Sequence, residues 1–186
     1  MKKILSLLSC VLLTVSGFAQ NETKYELTPN GITNGTDKDY IVIEVDGSLS
    51  QKDLFEKTQT YLASKFVSPK DVISPFNENT ITINWVSRIK YKYILWVEAD
   101  VNYTTTFQFK DGRVRINNPS INSIIVADGE RTPIKLIEEF TAVGIFNSKG
   151  KLRRPDVKTA VEDNINAFLS DYVDFLTSKQ DVEDDW

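Results

Sequence analysis

Histidine is absent from this chain of 186 residues, and cysteine occurs once, as Cys10. The first absence removes the commonest general base and the commonest metal ligand. The second excludes disulfides and leaves no thiol nucleophile beyond the first ten residues. Serine is plentiful, yet there is no Gly-x-Ser-x-Gly turn and no imidazole to activate a hydroxyl. No glycine-rich phosphate loop follows a strand, and no Asp-x-Asp-x-Asp-Gly loop is present for calcium. No cofactor or metal is expected. Two kinds of chemistry survive these exclusions: hydrolysis by paired carboxylates, and reactions of hydroxyl or lysine nucleophiles. Neither leaves a motif.

The long apolar run of the chain stands at its start. Met1-Lys2-Lys3 is followed by an apolar stretch from Ile4 to Phe18, and then by Ala19-Gln20. A short basic start, an apolar segment of this length and small residues at Gly17 and Ala19 predict a secretory signal over residues 1–19, cleaved before Gln20. The run is shorter than the ~20 residues that span a bilayer, so no transmembrane segment is expected after its removal. Leu7-Leu8-Ser9-Cys10 resembles a lipoprotein box. It lies early in the run, so lipidation of Cys10 is the minor alternative. The expected location is therefore the periplasm or the outer-membrane surface of a bacterium.

Of 22 basic residues two, Lys2 and Lys3, lie in the signal. The remainder sets 20 bases against 26 acids, a net charge near −6. Nucleic acids reward clustered lysine and arginine, so an acidic exported domain is a poor partner for them. Stability has to come from an ordinary core, which a domain near 140 residues can build, since ~150 residues bury roughly 70% of the unfolded surface.

Residues 20–38 are polar and hold Pro29-Asn30-Gly31 and Asn34-Gly35, which reads as a flexible leader. From Tyr40, Ile41, Ile43 and Val45 alternate as in a strand with one buried face, and Gly47 ends it. Ser50 and Asp53 resemble a capping box. Leu54, Phe55, Thr58, Tyr61, Leu62 and Phe66 then recur at helical spacing, and Ser68-Pro69 stops the helix predicted over 50–66.

Residues 72–117 are rich in β-formers, with an irregularity expected near Glu98-Ala99-Asp100. Asp111-Gly112 predicts a type I′ hairpin turn that sets Lys110 against Arg113, Phe109 against Val114, Gln108 against Arg115 and Phe107 against Ile116. Ser123 to Ala127 adds a further strand, Ile134 to Phe140 reads as a short helix, and Lys149 to Arg154 as a solvated basic loop. From Pro155 a long, mostly apolar stripe (Val157, Ala160, Val161, Asn164, Ile165, Phe168, Leu169, Tyr172, Val173, Leu176) predicts a helix to about 178. Residues 179–186 form an acidic tail. There is no repeat and no second domain. The order β-α-β-β-β-(β)-α over residues 39–178 predicts a single α+β domain: one antiparallel sheet with an early helix and a long C-terminal helix packed on one face.

Two segments carry a resemblance. Val45-Asp46-Gly47-Ser48-Leu49-Ser50 with Leu54-Phe55 and Tyr61-Leu62 is the first, and Phe107 to Ile116 the second. Behind a signal ending Ala-Gln, they look like the secreted Bacteroidetes proteins grouped as domain of unknown function 4468, over about residues 40–125. The resemblance implies a fold like the TATA-box-binding protein. The family has no established activity, so it supplies no site residue, and the fold name implies no DNA binding.

The candidate sites are therefore those the residues suggest. Glu44/Asp46 and Glu98/Asp100 are i, i+2 pairs able to share a strand face, as a carboxylate-dependent, glycosidase-like hydrolase would need. Their ordinary reading is the solvated face of half-buried strands. Trp85 follows the inward alternation of Ile81 and Ile83. If the parity of Phe107 and Phe109 extends back unbroken, Trp96 points outward with Gln108. Trp96, Gln108 and Arg115 then form the predicted binding surface. The expected function is a noncatalytic exported module that binds an envelope protein, peptide or glycan, with the hydrolase as the alternative.

Overall fold

The alternation that ends at Phe109 governs the architecture. Ala99, Val101, Tyr103, Thr105, Phe107 and Phe109 are buried, and the residues between them are not. A period of two over this length demands one long strand with a single covered face. The computed structural model describes residues 24–45, 47–127, 130–139 and 143–178. The elements are β1 (Glu26–Thr28), β2 (Gly31–Thr33), β3 (Tyr40–Glu44), α1 (Gln51–Lys65), α2 (Pro69–Val72), β4 (Ile73–Asn77), β5 (Thr80–Lys92), β6 (Trp96–Lys110), β7 (Arg113–Asn117), β8 (Ser120–Val126), β9 (Pro133–Ile137), β10 (Gly144–Phe146) and α3 (Pro155–Thr177).

Strand β6 is the spine. β5 pairs with it antiparallel from Lys92↔Trp96 to Thr80↔Gln108 without a slip. Its other edge is divided, with β7 beside residues 107–110 and β8 beside residues 99–104. β3 extends the sheet from β7, β4 extends it from β5, and β9 and β10 extend it from β8. All these pairings are antiparallel except β9 with β10, which is parallel. The result is an α+β fold with a mostly antiparallel sheet.

Both long helices cover the face that the odd-numbered residues of β5 and β6 present. Ser50 and Asp53 form the capping box at the start of α1: the Ser50 hydroxyl accepts from the Asp53 N–H, and the Asp53 carboxylate accepts from the Ser50 N–H. Helix α1 buries Leu54, Thr58, Tyr61 and Leu62, while α3 buries Val157, Val161, Ile165, Leu169, Tyr172 and Leu176. Each fully buried apolar side chain stabilises the fold by ~1.5–3 kcal/mol relative to exposure. Between the layers the Trp85 ring stacks on Tyr103 at 4.5 Å and on Phe168 at 4.7 Å. Its Nε1 donates to the Thr105 hydroxyl at 3.2 Å, so the indole is both packed and satisfied.

Several expectations are corrected. From residue 24 onward the leader is structured: β1 and β2 form a hairpin whose tight turn is the Pro29-Asn30-Gly31 segment, with Gly31 at φ 115°. Tyr25, Leu27 and Ile32 are buried, and α3 holds the hairpin through Asn166 Oδ1 and Glu162 Oε1, each 2.7 Å from the backbone nitrogen of Tyr25 and Leu27 respectively. Ile134 lies in a strand, not a helix, because Ile124↔Ile134 and Ile125↔Pro133 pair β9 to β8. Among the described residues the sheet has eight strands, where the expected order has four or five. Glu98 to Asp100 is regular against β5, and the register shift lies instead between Asn102 and Tyr103 against β8.

The basic segment after Phe146 is an ordered turn. Asn147 Oδ1 accepts from the N–H groups of Lys149 and Lys151, and Arg154 pairs with Asp156 at 2.8 Å. The Asp111-Gly112 turn has the predicted register but not type I′ geometry. Gly112 takes φ 70°, while among the described non-glycine residues only Arg131 has positive φ. The predicted signal over 1–19, Asp46, Phe140 and the tail 179–186 lie outside the described residues.

Candidate functional site

The sheet face opposite the helices is open, and the even-numbered side chains of β5 and β6 pave it. Its middle is neutral. The hydroxyls of Thr82 and Thr106 lie 3.1 Å apart, Thr104 donates to Asn84 at 2.6 Å, and Asn122 donates to Thr104 at 2.9 Å. These groups satisfy one another across neighbouring strands, as a solvated β-face does.

Towards the β5–β6 turn the face carries charge that is internally cancelled. Arg88 grips Asp100 with two hydrogen bonds, of 2.8 and 3.2 Å. Lys90 pairs with Glu98 at 2.8 Å, and Arg88 lies 3.6 Å from the same carboxylate. The hydrogen bond from Lys90 holds the Glu98 carboxyl below the usual range, and that from Arg88 does the same for Asp100. Both acids are therefore kept ionised, the opposite of what a general acid needs. Glu44 lies across from Arg113 in the β3–β7 ladder, remote from this pair in the strand order. Among the described residues no group of three or more acids is placed to hold a metal ion.

Towards the Asp111-Gly112 turn the balance changes. Gln108 and Arg115 are cross-strand partners. With Tyr40, Val42, Asn79, Thr80, Phe109, Lys110 and Arg113 they line an open depression of ≈ 380 Å³. Three of these residues are cations and none is an acid. The Arg115 guanidinium lies 3.8 Å above the Tyr40 ring, and its Nε donates to Asn117 Oδ1 at 3.1 Å. Stacking on an aromatic face and a hydrogen bond fix the orientation of the fork, and the rim carboxylate of Asp39, 3.8 Å away, is 86% exposed.

Trp96 does point outward, at 70% exposure, and the parity argument holds because β6 has no slip against β5. It does not join Gln108 and Arg115, however. Twelve residues of extended strand separate it from Gln108, roughly 40 Å at ~3.3 Å per residue. The predicted trio is thus two separate places, one at each end of β6. Tyr93 stands out in the sequence as an aromatic beside Trp96, but the apolar turn that joins them is not legible there. Tyr93, Ile94 and Leu95 form the turn between β5 and β6, and they are 66%, 81% and 76% exposed. The turn has no Gly, Pro, Asn or Asp to mark it, so it merged into one dense run of β-formers. Apolar residues at successive positions, which an alternating strand does not tolerate, were the available signal.

No family model matches the chain, and no curated protein matches it. Two solved structures do. A TBP-like protein from Parabacteroides distasonis superposes with a TM-score of 0.53 at 11% identity, covering 74% of this chain and 90% of that one. A DUF4468 family protein from Bacteroides ovatus superposes with a TM-score of 0.54 at 16% identity, covering 76% of this chain and 86% of that one. The chain has the TBP-like fold. At these identities the likeness concerns the fold, which agrees with the resemblance drawn from residues 40–125. It carries no activity and no ligand across. Among the described residues no helix is long and apolar enough to cross a membrane.

Proposed function

We propose that this TBP-like domain is a noncatalytic module of the bacterial envelope, exported by its first 19 residues, that captures an acidic peptide or glycan on the open sheet face. The observation that supports the reading is the ≈ 380 Å³ depression, lined by Lys110, Arg113 and Arg115 and by no acid. Its guanidinium is already oriented by Tyr40, its amide is Gln108, and its exposed apolar side chain is Val42. Arginine forks recognise carboxylates bidentately. An aromatic and an amide beside them suit a chain of carboxylate-bearing sugars or residues. Three cations on an acidic protein make a local anion site, not the extended basic surface that a nucleic-acid backbone rewards. Against the hydrolase alternative stands the pairing of Glu98 and Asp100 with Lys90 and Arg88, which keeps both acids ionised.

Titration of the protein with a uronic-acid oligosaccharide and with a glutamate-rich peptide tests the ligand class. The Arg113→Glu/Arg115→Glu double variant is expected to abolish binding of whichever probe the wild type takes, without loss of the fold. A wild type blind to both probes, or a variant that still binds, refutes the reading. Intact-mass measurement on exported protein tests the compartment: a chain beginning at Gln20 is expected, and a lipid-modified chain beginning at Cys10 would replace that expectation.

A further inference from the structure

The turn at the far end of β6 has a composition that folding does not require. Tyr93, Ile94, Leu95 and Trp96 are consecutive and 66–81% exposed. Elsewhere the strands bury most of their large apolar residues on the helix side, with Val42 and Val86 as isolated exposed exceptions. The β5–β6 ladder continues to Lys92↔Trp96, whereas the pairing of β8 with β6 stops at Ala99↔Val126, so the hairpin projects beyond its neighbour. A contiguous exposed apolar group on a protrusion marks an interaction site.

The order of the residues identifies the partner. The two aliphatic side chains sit at the apex, flanked by one tyrosine and one tryptophan. Below them on the hairpin comes Lys92, which is exposed, and then Lys90, whose charge is taken up by Glu98. The Arg154 guanidinium lies 4.7 Å from the Tyr93 ring and 5.3 Å from the Tyr91 ring. Arg154 is paired with Asp156, so Lys92 is the neck cation left to a headgroup. Aliphatic tip, amphipathic aromatic collar and this lysine follow, over a few residues, the polarity gradient of a bilayer from acyl chains to headgroups. A second copy of the chain is a poorer fit, because four side chains on a narrow turn fall short of the roughly 800 Å² per partner that a stable interface buries.

We propose that the 93–96 turn is a membrane-docking tip that inserts Ile94 and Leu95 into the interfacial layer of an anionic phospholipid bilayer, with Tyr93 and Trp96 at headgroup depth. The tip adds no spanning segment. Its hold is that of a shallow, reversible anchor, stabilised chiefly by buried apolar area, with attraction of Lys92 to the lipid surface added.

The emission of Trp96, isolated as the difference between wild type and Trp96→Phe, reports on the tip alone. This makes it independent of any membrane contact by the N-terminal segment. With vesicles of phosphatidylethanolamine and phosphatidylglycerol the Trp96 emission is expected to shift to the blue and to be quenched by brominated acyl chains. In the Ile94→Asp/Leu95→Asp variant the apparent partitioning should fall by roughly tenfold or more, with an unchanged thermal melt. A Trp96 emission indifferent to vesicles overturns the proposal. So does a Trp96 emission already blue-shifted in solution that moves to the red on dilution, which would assign the tip to another protein molecule.

Discussion

One strand, β6, ends in two turns of opposite character. At Asp111-Gly112 the chain is held from every side. Asp111 Oδ1 accepts from the Gln51 N–H at 2.7 Å, at the first residue of α1. The Gly112 N–H donates to the Leu49 carbonyl, and the Val45 N–H donates to the Gly112 carbonyl, both at 2.9 Å. At Tyr93–Leu95 the turn carries one internal hydrogen bond, from the Tyr93 N–H to the Leu95 carbonyl at 3.1 Å, and displays its side chains to solvent. The first turn uses the residue types its geometry demands. The second places bulky apolar residues where turn chemistry favours small or polar ones. A local rule kept serves the fold, and a local rule broken without structural gain points to a function. The two tryptophans repeat the lesson, since Trp85 is 5% exposed and Trp96 is 70% exposed on adjacent strands.

The sharpest way to break the comparison is through those tryptophans. Trp85→Ala removes a ring stacked between Tyr103 and Phe168 and leaves the Thr105 hydroxyl without its donor. A loss of about 3–5 kcal/mol in chemical denaturation is expected. Trp96→Ala should stay within about 0.5 kcal/mol of wild type, as surface changes do. A large loss from Trp96→Ala would make the tip a part of the fold.

The turns give the next contrast. Gly112→Val puts a β-branched side chain at φ 70°, where the added Cβ lies 3.3 Å from the Gly47 Cα. Strain of this kind costs about 1–3 kcal/mol, and the crowding adds to it. An unchanged denaturation midpoint would show that the backbone relaxes freely there. Asp111→Ala removes the side chain that accepts from the start of α1, and about 1 kcal/mol is expected to go with it. The corresponding polar change at the other turn, Ile94→Asp, should leave the midpoint where it is.

The parts legible in the sequence are those in which one periodicity or one turn signal acted alone. The α3 stripe, the Ser50–Asp53 cap and the register around residues 107–116 are of this kind, because each rests on contacts within a few residues along the chain. The β1–β2 hairpin reads as a flexible leader in the sequence because its burial depends on α3, more than a hundred residues away. Residues 134–140 read as a helix because Ile134 and Ile137 stand at helical spacing, while Ile134 and Leu136 equally fit a strand, and only pairing with β8 and β10 decides between them. For the site, the outward direction of Trp96 followed from parity. Its separation from Gln108 follows from the length of β6, which the sequence hides by running two strands and an apolar turn together.

The smallest effects are expected on the charged patch between the two ends. Glu98 and Asp100 have carboxyls held below their ordinary range by Lys90 and Arg88. A carboxyl depressed in the folded state adds stability above its unfolded value, near pH 4, and that contribution disappears as the pH falls through the lower folded value. The Glu98→Gln and Asp100→Asn variants should therefore differ slightly from wild type at neutral pH and converge with it in acid. Exposed ion pairs are worth little in high dielectric, so denaturation at neutral pH and again near pH 3 needs only to detect the sign. The same two amides should leave capture of an acidic ligand at the Arg115 end nearly unchanged, since Asp100 and Glu98 lie towards the opposite end of the strand. If either amide abolished a hydrolytic activity of the protein, the ionised pair would be catalytic after all, and the division of the face into a docking tip, a neutralised middle and an anion-binding depression would fail.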